Sequence, residues 1–172
     1  MAERRPVLRH DRMVCFDDGT DRFQVRAAAI AIRNGRVLVQ NIAGETTTFL
    51  PGGRIEQGEA STETLVREID EEFGHTVEVG DLVFLMESFY PSRSQSFHEM
   101  SLYYRITIGD DFPYHDSEIC HRCFEGTTEM EYRWVPLPEA ALDAVRFHPR
   151  ALRGRLGQLP TTTVHIVDRD VE

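Results

Sequence analysis

Between residues 50 and 75, in the stretch LPGGRIEQGEASTETLVREIDEEFGH, seven acidic side chains crowd around a glycine pair and two arginines. Like charges one helical turn apart repel by roughly 0.2–0.5 kcal/mol per pair. The cluster therefore needs a counter-charge. Glu72 stands four residues after Glu68, and Glu71 three after it, so helical spacing turns all three toward one side. Oxygen ligands at this spacing suit magnesium, a hard cation that takes octahedral oxygen coordination and keeps part of its water shell. A cation held there could sit between the carboxylates and the phosphates of an anionic substrate.

The elements that must position these groups can be read from the flanks. Pro51 and the Gly52-Gly53 pair end a short extended piece, TFL, and form a glycine-rich loop. A helix then begins near Ser61, a good N-cap residue, and ends at Gly74, which suits the position just beyond a helix. Its apolar residues Leu65, Val66, Ile69 and Phe73 fall on one arc. The bland reading of the glutamates is a solvated, ion-paired helix face, with Glu63 and Glu71 each four residues from Arg67.

Before the cluster, residues 23–42 read as two apolar strands joined at Asn34-Gly35, a dipeptide suited to a tight type I′ hairpin. After it, residues 82–90 and 97–108 read as paired strands, with Pro91 to Ser96 as their turn. Residues 109–128 read as a long acidic functional loop, residues 129–135 as a strand, PLPEAALDAV as a short helix and residues 164–168 as a final strand.

Written as a spacing, the cluster is Gly53, five residues, Glu59, seven residues, then Arg67-Glu68-Ile69-Asp70-Glu71-Glu72-Phe73-Gly74. This resembles the Nudix box, GX5EX7REUXEEXGU, where U is a bulky aliphatic residue. Gly53, Glu59, Arg67, Glu68, Glu71, Glu72 and Gly74 fill its fixed positions, and Ile69 fills the first aliphatic one. His75 stands where the last aliphatic is expected, with Val77 able to supply the missing apolar contact.

The resemblance implies an α/β fold, the Nudix α/β/α sandwich around a mixed sheet. It implies Glu68 and Glu72 as direct metal ligands, Glu71 as a ligand directly or through water, and the Gly52 carbonyl as a further ligand. Glu59 and Arg67 would pair and hold the Gly53 loop against the helix. The implied cofactor is Mg2+, with Mn2+ as a substitute. The implied reaction is hydrolysis of the diphosphate bridge of a nucleoside diphosphate linked to another group, with water attacking phosphorus. In that family the proton acceptor can lie outside the box. Glu118, Glu125, Glu129 and Glu131 are the candidates, with Glu129 and Glu131 preferred because they sit at the edge of an expected strand. Homodimers are common among such proteins. The rivals are hydrolysis of a non-nucleotide diphosphate and a catalytically silent nucleotide-binding module.

Composition agrees with a small-molecule role. The 172 residues fit a single domain, residues 1–172. A formal net charge of −10 argues against nucleic-acid or anionic-membrane partners. No apolar run follows the charged N-terminus, so neither a signal nor an anchor is expected, and the cytoplasm is the expected location. Cys15, Cys120 and Cys123 read as reduced thiols, and the single CxxC near His115 and His121 is a weak zinc signal. Among Phe89, Tyr90, Phe97, Tyr103 and Tyr104, one could stack on a base. Arg54, Arg93 and His98 are candidate contacts for phosphate or the linked group.

Overall fold

The structure, a computed structural model, describes residues 8–9, 12–92 and 94–169. In chain order its strands are β1 (Leu8–Arg9), β2 (Cys15–Asp18), β3 (Asp21–Ile30), β4 (Ile32–Arg33), β5 (Arg36–Ile42), β6 (Gly52–Arg54), β7 (Glu78–Ser92), β8 (Gln95–Thr107), β9 (Ile119–Glu125), β10 (Thr128–Pro136) and β11 (Val164–Arg169). The helices are α1 (Ser61–Phe73) and α2 (Glu139–Ala144), with a 3-10 turn at Arg150–Leu152.

The AAAIA run of residues 27–31 organises the molecule. Side chains alternate along a strand. Ala27, Ala29 and Ala31 accordingly pack with Leu65, Ile69 and Phe73 of α1, while Ala28 and Ile30 pack with Leu142 of α2 and with Leu152 and Leu156. Helical segments thus cover both faces of the sheet layer, which makes the expected α/β/α arrangement. Each of the large apolar side chains so buried contributes about 1.5–3 kcal/mol, and the alanines let α1 approach closely.

The larger sheet runs β1-β2-β3-β8-β7-β11, with β6 beside β3. It is mixed: β3 pairs with β8 and β7 with β11 in parallel, whereas β7 and β8 form an antiparallel hairpin. The smaller sheet, β4-β5-β10-β9, is antiparallel. The Asn34-Gly35 turn forms as expected, with φ of 51° and 69° and Arg33 opposite Arg36. The strand before it is split, however. At Ala31 the chain leaves the larger sheet for the smaller one, and the Ala31 carbonyl accepts the Leu38 N–H at 3.1 Å.

Several local expectations are corrected. Ser61 is the first helical residue and Ala60 the cap; the Ser61 hydroxyl bonds Tyr104 Oη at 2.7 Å, and the Ala60 N–H donates to Glu63 Oε2 at 2.8 Å. Val66 is exposed, and Thr64 is buried instead because its hydroxyl donates to Glu59 Oε2 at 2.8 Å. The glycine pair lies inside β6, an edge strand antiparallel to β3. Pro91 and Ser92 continue β7 rather than turn.

The stretch 109–128 is also not one irregular loop. It contains β9, which returns as β10 through a turn at Gly126. An edge strand with Arg122 and Phe124 exposed carries too little apolar alternation to announce itself. The remaining irregular part is pinned: Phe112 is buried against Phe73, and the Pro113 carbonyl accepts Trp134 Nε1–H at 2.9 Å. His75 keeps an apolar contact, its ring edge-on to Phe112 at 5.3 Å, and Val77 packs against the same core. Among the described residues, no helix is long and apolar enough to cross a membrane.

Candidate active site

The β3–β6 register places Gly53 opposite Ala27, on the face that α1 covers. A Cβ at Gly53 would overlap the Glu68 carboxylate, so this position admits only glycine while Glu68 stays where it is. Gly52, with φ of 141°, would drive a Cβ into the Ala27 carbonyl. The glycine pair thus lets β6 lie flush between its neighbour strand and the helix.

Arg67 ties these pieces together. Its Nε donates to Glu59 Oε1 at 2.8 Å and its Nη2 to Glu59 Oε2 at 3.1 Å, a bidentate pair. Nη1 reaches Glu68 Oε1 at 2.9 Å and Glu71 Oε2 at 3.3 Å, and Nη2 the Arg54 carbonyl at 3.4 Å. The Arg67 hydrogen bond, helped by the Glu56 N–H and the Thr64 hydroxyl, holds the Glu59 carboxyl down at about 2, against the cost of its burial. The same contact raises the Arg67 guanidinium above its usual value.

Glu68 and Glu72 sit in a different environment. Burial pushes Glu68 up despite Arg67, and pushes Glu72 up to about 8. A contact from the Tyr132 hydroxyl favours the charged form of Glu72 but does not outweigh burial, and Glu68 and Glu125 add repulsion. Glu72 Oε2 is buried with no hydrogen-bond partner. Such an orphan is costly unless something completes it. Nearby, His121 Nε2–H donates to the Glu72 backbone carbonyl at 2.7 Å. Glu71 is exposed. Because Arg67 draws Glu68 and Glu71 to itself, the described residues contain no ready-made group of three or more acidic, histidine or cysteine side chains around one point. The donor chemistry still fits a hard divalent cation: a carboxylate oxygen without a partner, a second half-buried carboxylate, and only oxygen atoms.

Arg26 is the residue that sequence reasoning missed. Its Nη2 donates to the Gly52 carbonyl at 2.8 Å and to the Leu50 carbonyl at 3.2 Å. One lone pair of the Gly52 oxygen is therefore already engaged. The positive charge of Arg26 is felt by Glu68 and Glu72 on one side and by Tyr90 and Tyr103 on the other. An arginine directly before the apolar AAAIA run was the available signal. Arg54, opposite Arg26 in the β3–β6 register, belongs to the same face. On that face lies a cavity of about 480 Å³, lined by Gln24, Arg26, Ser88, Tyr90, Glu99 and Tyr103 among others, with exposed Phe49 beside His148 at its rim.

The NUDIX domain family matches residues 22–154, from β3 past the 3-10 turn. The chain belongs to that family. Proteins of that family generally use divalent metals and act on small nucleotide derivatives. No curated protein matches the chain. Among solved structures it is similar to the MutT protein of Bacillus halodurans, with 16% identity, TM-score 0.55, and 83% of this chain and 89% of that one covered. A NUDIX hydrolase from Nitrosomonas europaea gives 16% identity, TM-score 0.50, and coverage of 73% and 80%. At such identities the likeness speaks for the Nudix fold.

The other expected site residues distribute unevenly around the Nudix box. Along β10, Met130, Tyr132 and Trp134 pack toward α1, so Glu129 and Glu131 point to the opposite face. Glu131 is engaged there by Arg122 at 3.2 Å and Arg133 at 3.3 Å, and Glu129 pairs with Arg122 at 3.7 Å. Glu125, on β9, is the later acidic residue whose charge reaches Glu72. Glu118 pairs loosely with His115 at 3.9 Å.

His98 does not join the site. Its ring is stacked on Phe89 at 4.4 Å and edge-on to Phe23 at 5.1 Å, within an aromatic cluster. Arg93 lies outside the described residues. Tyr90 and Tyr103 line the cavity, whereas Tyr104 is turned to Ser61. The cysteines are free: Cys120 Sγ donates to the Tyr132 carbonyl at 3.4 Å, its thiol pushed up to about 11 by burial, and Cys123 lies 3.6 Å from Tyr132 Oη.

Proposed function

We propose that the protein is a magnesium-dependent nucleotide pyrophosphohydrolase that cleaves the diphosphate bridge of a nucleoside diphosphate derivative. The observation that carries this reading is the position of Arg26, between the buried, partnerless carboxylate oxygen of Glu72 and a nucleoside-sized cavity. The cavity volume falls within the usual range of ligand sites, about 300–1,000 Å³.

Glu72 and Glu68 would hold Mg2+, or Mn2+ in its place, with Glu71 freed from Arg67 as an outer ligand and the second lone pair of the Gly52 carbonyl available. When bound, the cation would neutralise phosphate charge and acidify a water. Arg26 and Arg54 would grip the diphosphate at the edge of β6, neutralising oxygens on which charge develops. Arg67 and Glu59 would keep α1 docked on Gly53, fixing the Glu68 carboxylate. Glu125, rather than Glu129 or Glu131, would take the proton of the attacking water, because its charge is the one that reaches Glu72. The reaction needs no nucleophilic side chain.

The test is a panel of nucleoside triphosphates, dinucleotides and nucleotide sugars with magnesium, with the nucleoside monophosphate and the phosphorylated or pyrophosphate co-product resolved by chromatography. Turnover that requires the cation and disappears in Glu72→Gln is expected. A flat response across the panel, with nucleotide binding retained, would replace this reading by the silent binding module.

A further inference from the structure

The cavity beside the box has a floor set by strand register. Ser88 lies opposite Glu99 across β7 and β8, and Gln24 opposite Glu99 across β3 and β8. A row Ser88–Glu99–Gln24 therefore crosses three strands on one face, with Tyr90 and Tyr103 on the same wall. Arg26 is two residues along β3 from Gln24, about 7 Å further at the strand rise, and reaches on to the Gly52 carbonyl. The row and the box thus lie at opposite ends of one short path.

Glu99 is the unusual member. Its Oε2 accepts from Gln24 Nε2 and from the Tyr90 hydroxyl at 3.2 Å, and its Oε1 from the Ser101 hydroxyl at 2.7 Å. Among the described residues no Arg or Lys nitrogen forms an ion pair with it. A half-buried carboxylate held only by neutral donors is expensive to keep in a cavity wall. A carboxylate has about four lone-pair sites, so these three bonds leave acceptor capacity toward the cavity. Because Gln24 spends its N–H on Glu99, its carbonyl oxygen is a further acceptor. The aromatic walls and rim, Tyr90, Tyr103 and Phe49, suit a flat ring.

Resting on the reading of the box as a nucleotide pyrophosphohydrolase site, we propose that this cavity holds the nucleobase and that Glu99 and Gln24 select a base whose edge carries adjacent N–H donors. Guanine can donate its 2-amino N–H to the one acceptor site left on Glu99 Oε1 while its adjacent ring N1–H meets the Gln24 carbonyl oxygen. Adenine and cytosine offer an amino group beside a ring acceptor. Uracil flanks its single N–H with two carbonyls that face the carboxylate oxygens, an unfavourable contact. Ordinary nucleotides therefore rank guanine first and uracil last.

The test uses nucleoside monophosphates, which contain no diphosphate bond, so binding is read without turnover. GMP, IMP and UMP are titrated calorimetrically into the full chain in magnesium buffer. IMP lacks only the 2-amino group of GMP. GMP should bind roughly 10- to 100-fold more tightly than IMP, the span of one charge-assisted hydrogen bond, and UMP should bind most weakly. Glu99→Gln keeps the shape while removing an acceptor; it should weaken GMP, bring the GMP-to-IMP ratio toward one and spare UMP. Selective GMP binding by a protein that hydrolyses nothing would sustain this inference while the hydrolase reading fell. Equal binding of the three nucleotides, no binding of any, or an unchanged GMP preference in Glu99→Gln would overturn it, even if hydrolysis were robust.

Discussion

Gly53 lies directly beneath the carboxylate of Glu68, with no room for a Cβ between them. The Glu68 oxygens occupy the space that a side chain at residue 53 would need. Gly53→Ala must displace Glu68 or lift the helix. We expect a loss of at least about 10²-fold in kcat, the cost of a misplaced charged group at a reacting centre, with a circular dichroism spectrum like that of the parent. Wild-type kcat in Gly53→Ala would show that the position of Glu68 does not matter.

The Glu59–Arg67 pair should appear in the acid limb of stability. Arg67 lowers Glu59 in the folded protein from 4.5 to about 2. Its stabilisation is therefore fully present above about pH 4.5 and is lost as pH falls toward 2. Glu59→Gln should cost about 2 kcal/mol near neutral pH, typical of hydrogen bonds to a charged group. Urea titrations at falling pH should show that gap closing below about 4.5; a gap independent of pH would assign the loss to packing.

Glu72 carries the opposite sign. Its folded value is raised to about 8, so its contribution to stability is present below about 4.5 and is lost as pH rises through 8. With a chelator present, Glu72→Gln should be more stable than the parent above pH 8, melting about 2–4 °C higher for each kcal/mol recovered. With magnesium the order should reverse, because the parent alone gains a bound ion. Identical melting curves for the two proteins with and without magnesium would remove Glu72 from the metal site.

The box and the end of α1 at Gly74 were legible because both are local: fixed offsets along one helix, and a glycine at φ of 66° where the helix must stop. The Asn34-Gly35 turn was legible for the same reason. The cavity was not. Gln24 and Glu99 are 75 residues apart and meet only because β3 pairs in parallel with β8, a long-range choice that no window along the chain encodes. Arg26 was hidden by the alanines that follow it. Strand β9 was hidden by being an edge, where exposed polar and aromatic residues replace clean alternation. The preference for Glu129 and Glu131 as proton acceptors rested on strand position without strand phase, and the packing of Tyr132 against α1 turns both away.

The choice of Glu125 as proton acceptor yields a test of mechanism as well as of residue. If an activated water attacks phosphorus, turnover in oxygen-18 water must place the label on one of the two phosphate products, and no phosphoenzyme should be trapped. Glu125→Gln should then lower kcat by roughly 10²- to 10⁴-fold, the usual share of a positioned base. Because Glu125 is exposed on an edge strand, the substitution should leave the melting temperature almost unchanged. Glu129→Gln and Glu131→Gln should retain most activity, with Glu131→Gln losing stability because it breaks the contacts to Arg122 and Arg133. A full rate in Glu125→Gln beside a collapsed rate in Glu131→Gln would mean that the attacking water approaches from the other face of β10. Label on the linked group instead of phosphate would move the attack to carbon, where neither Glu125 nor Arg26 would have the role assigned to it.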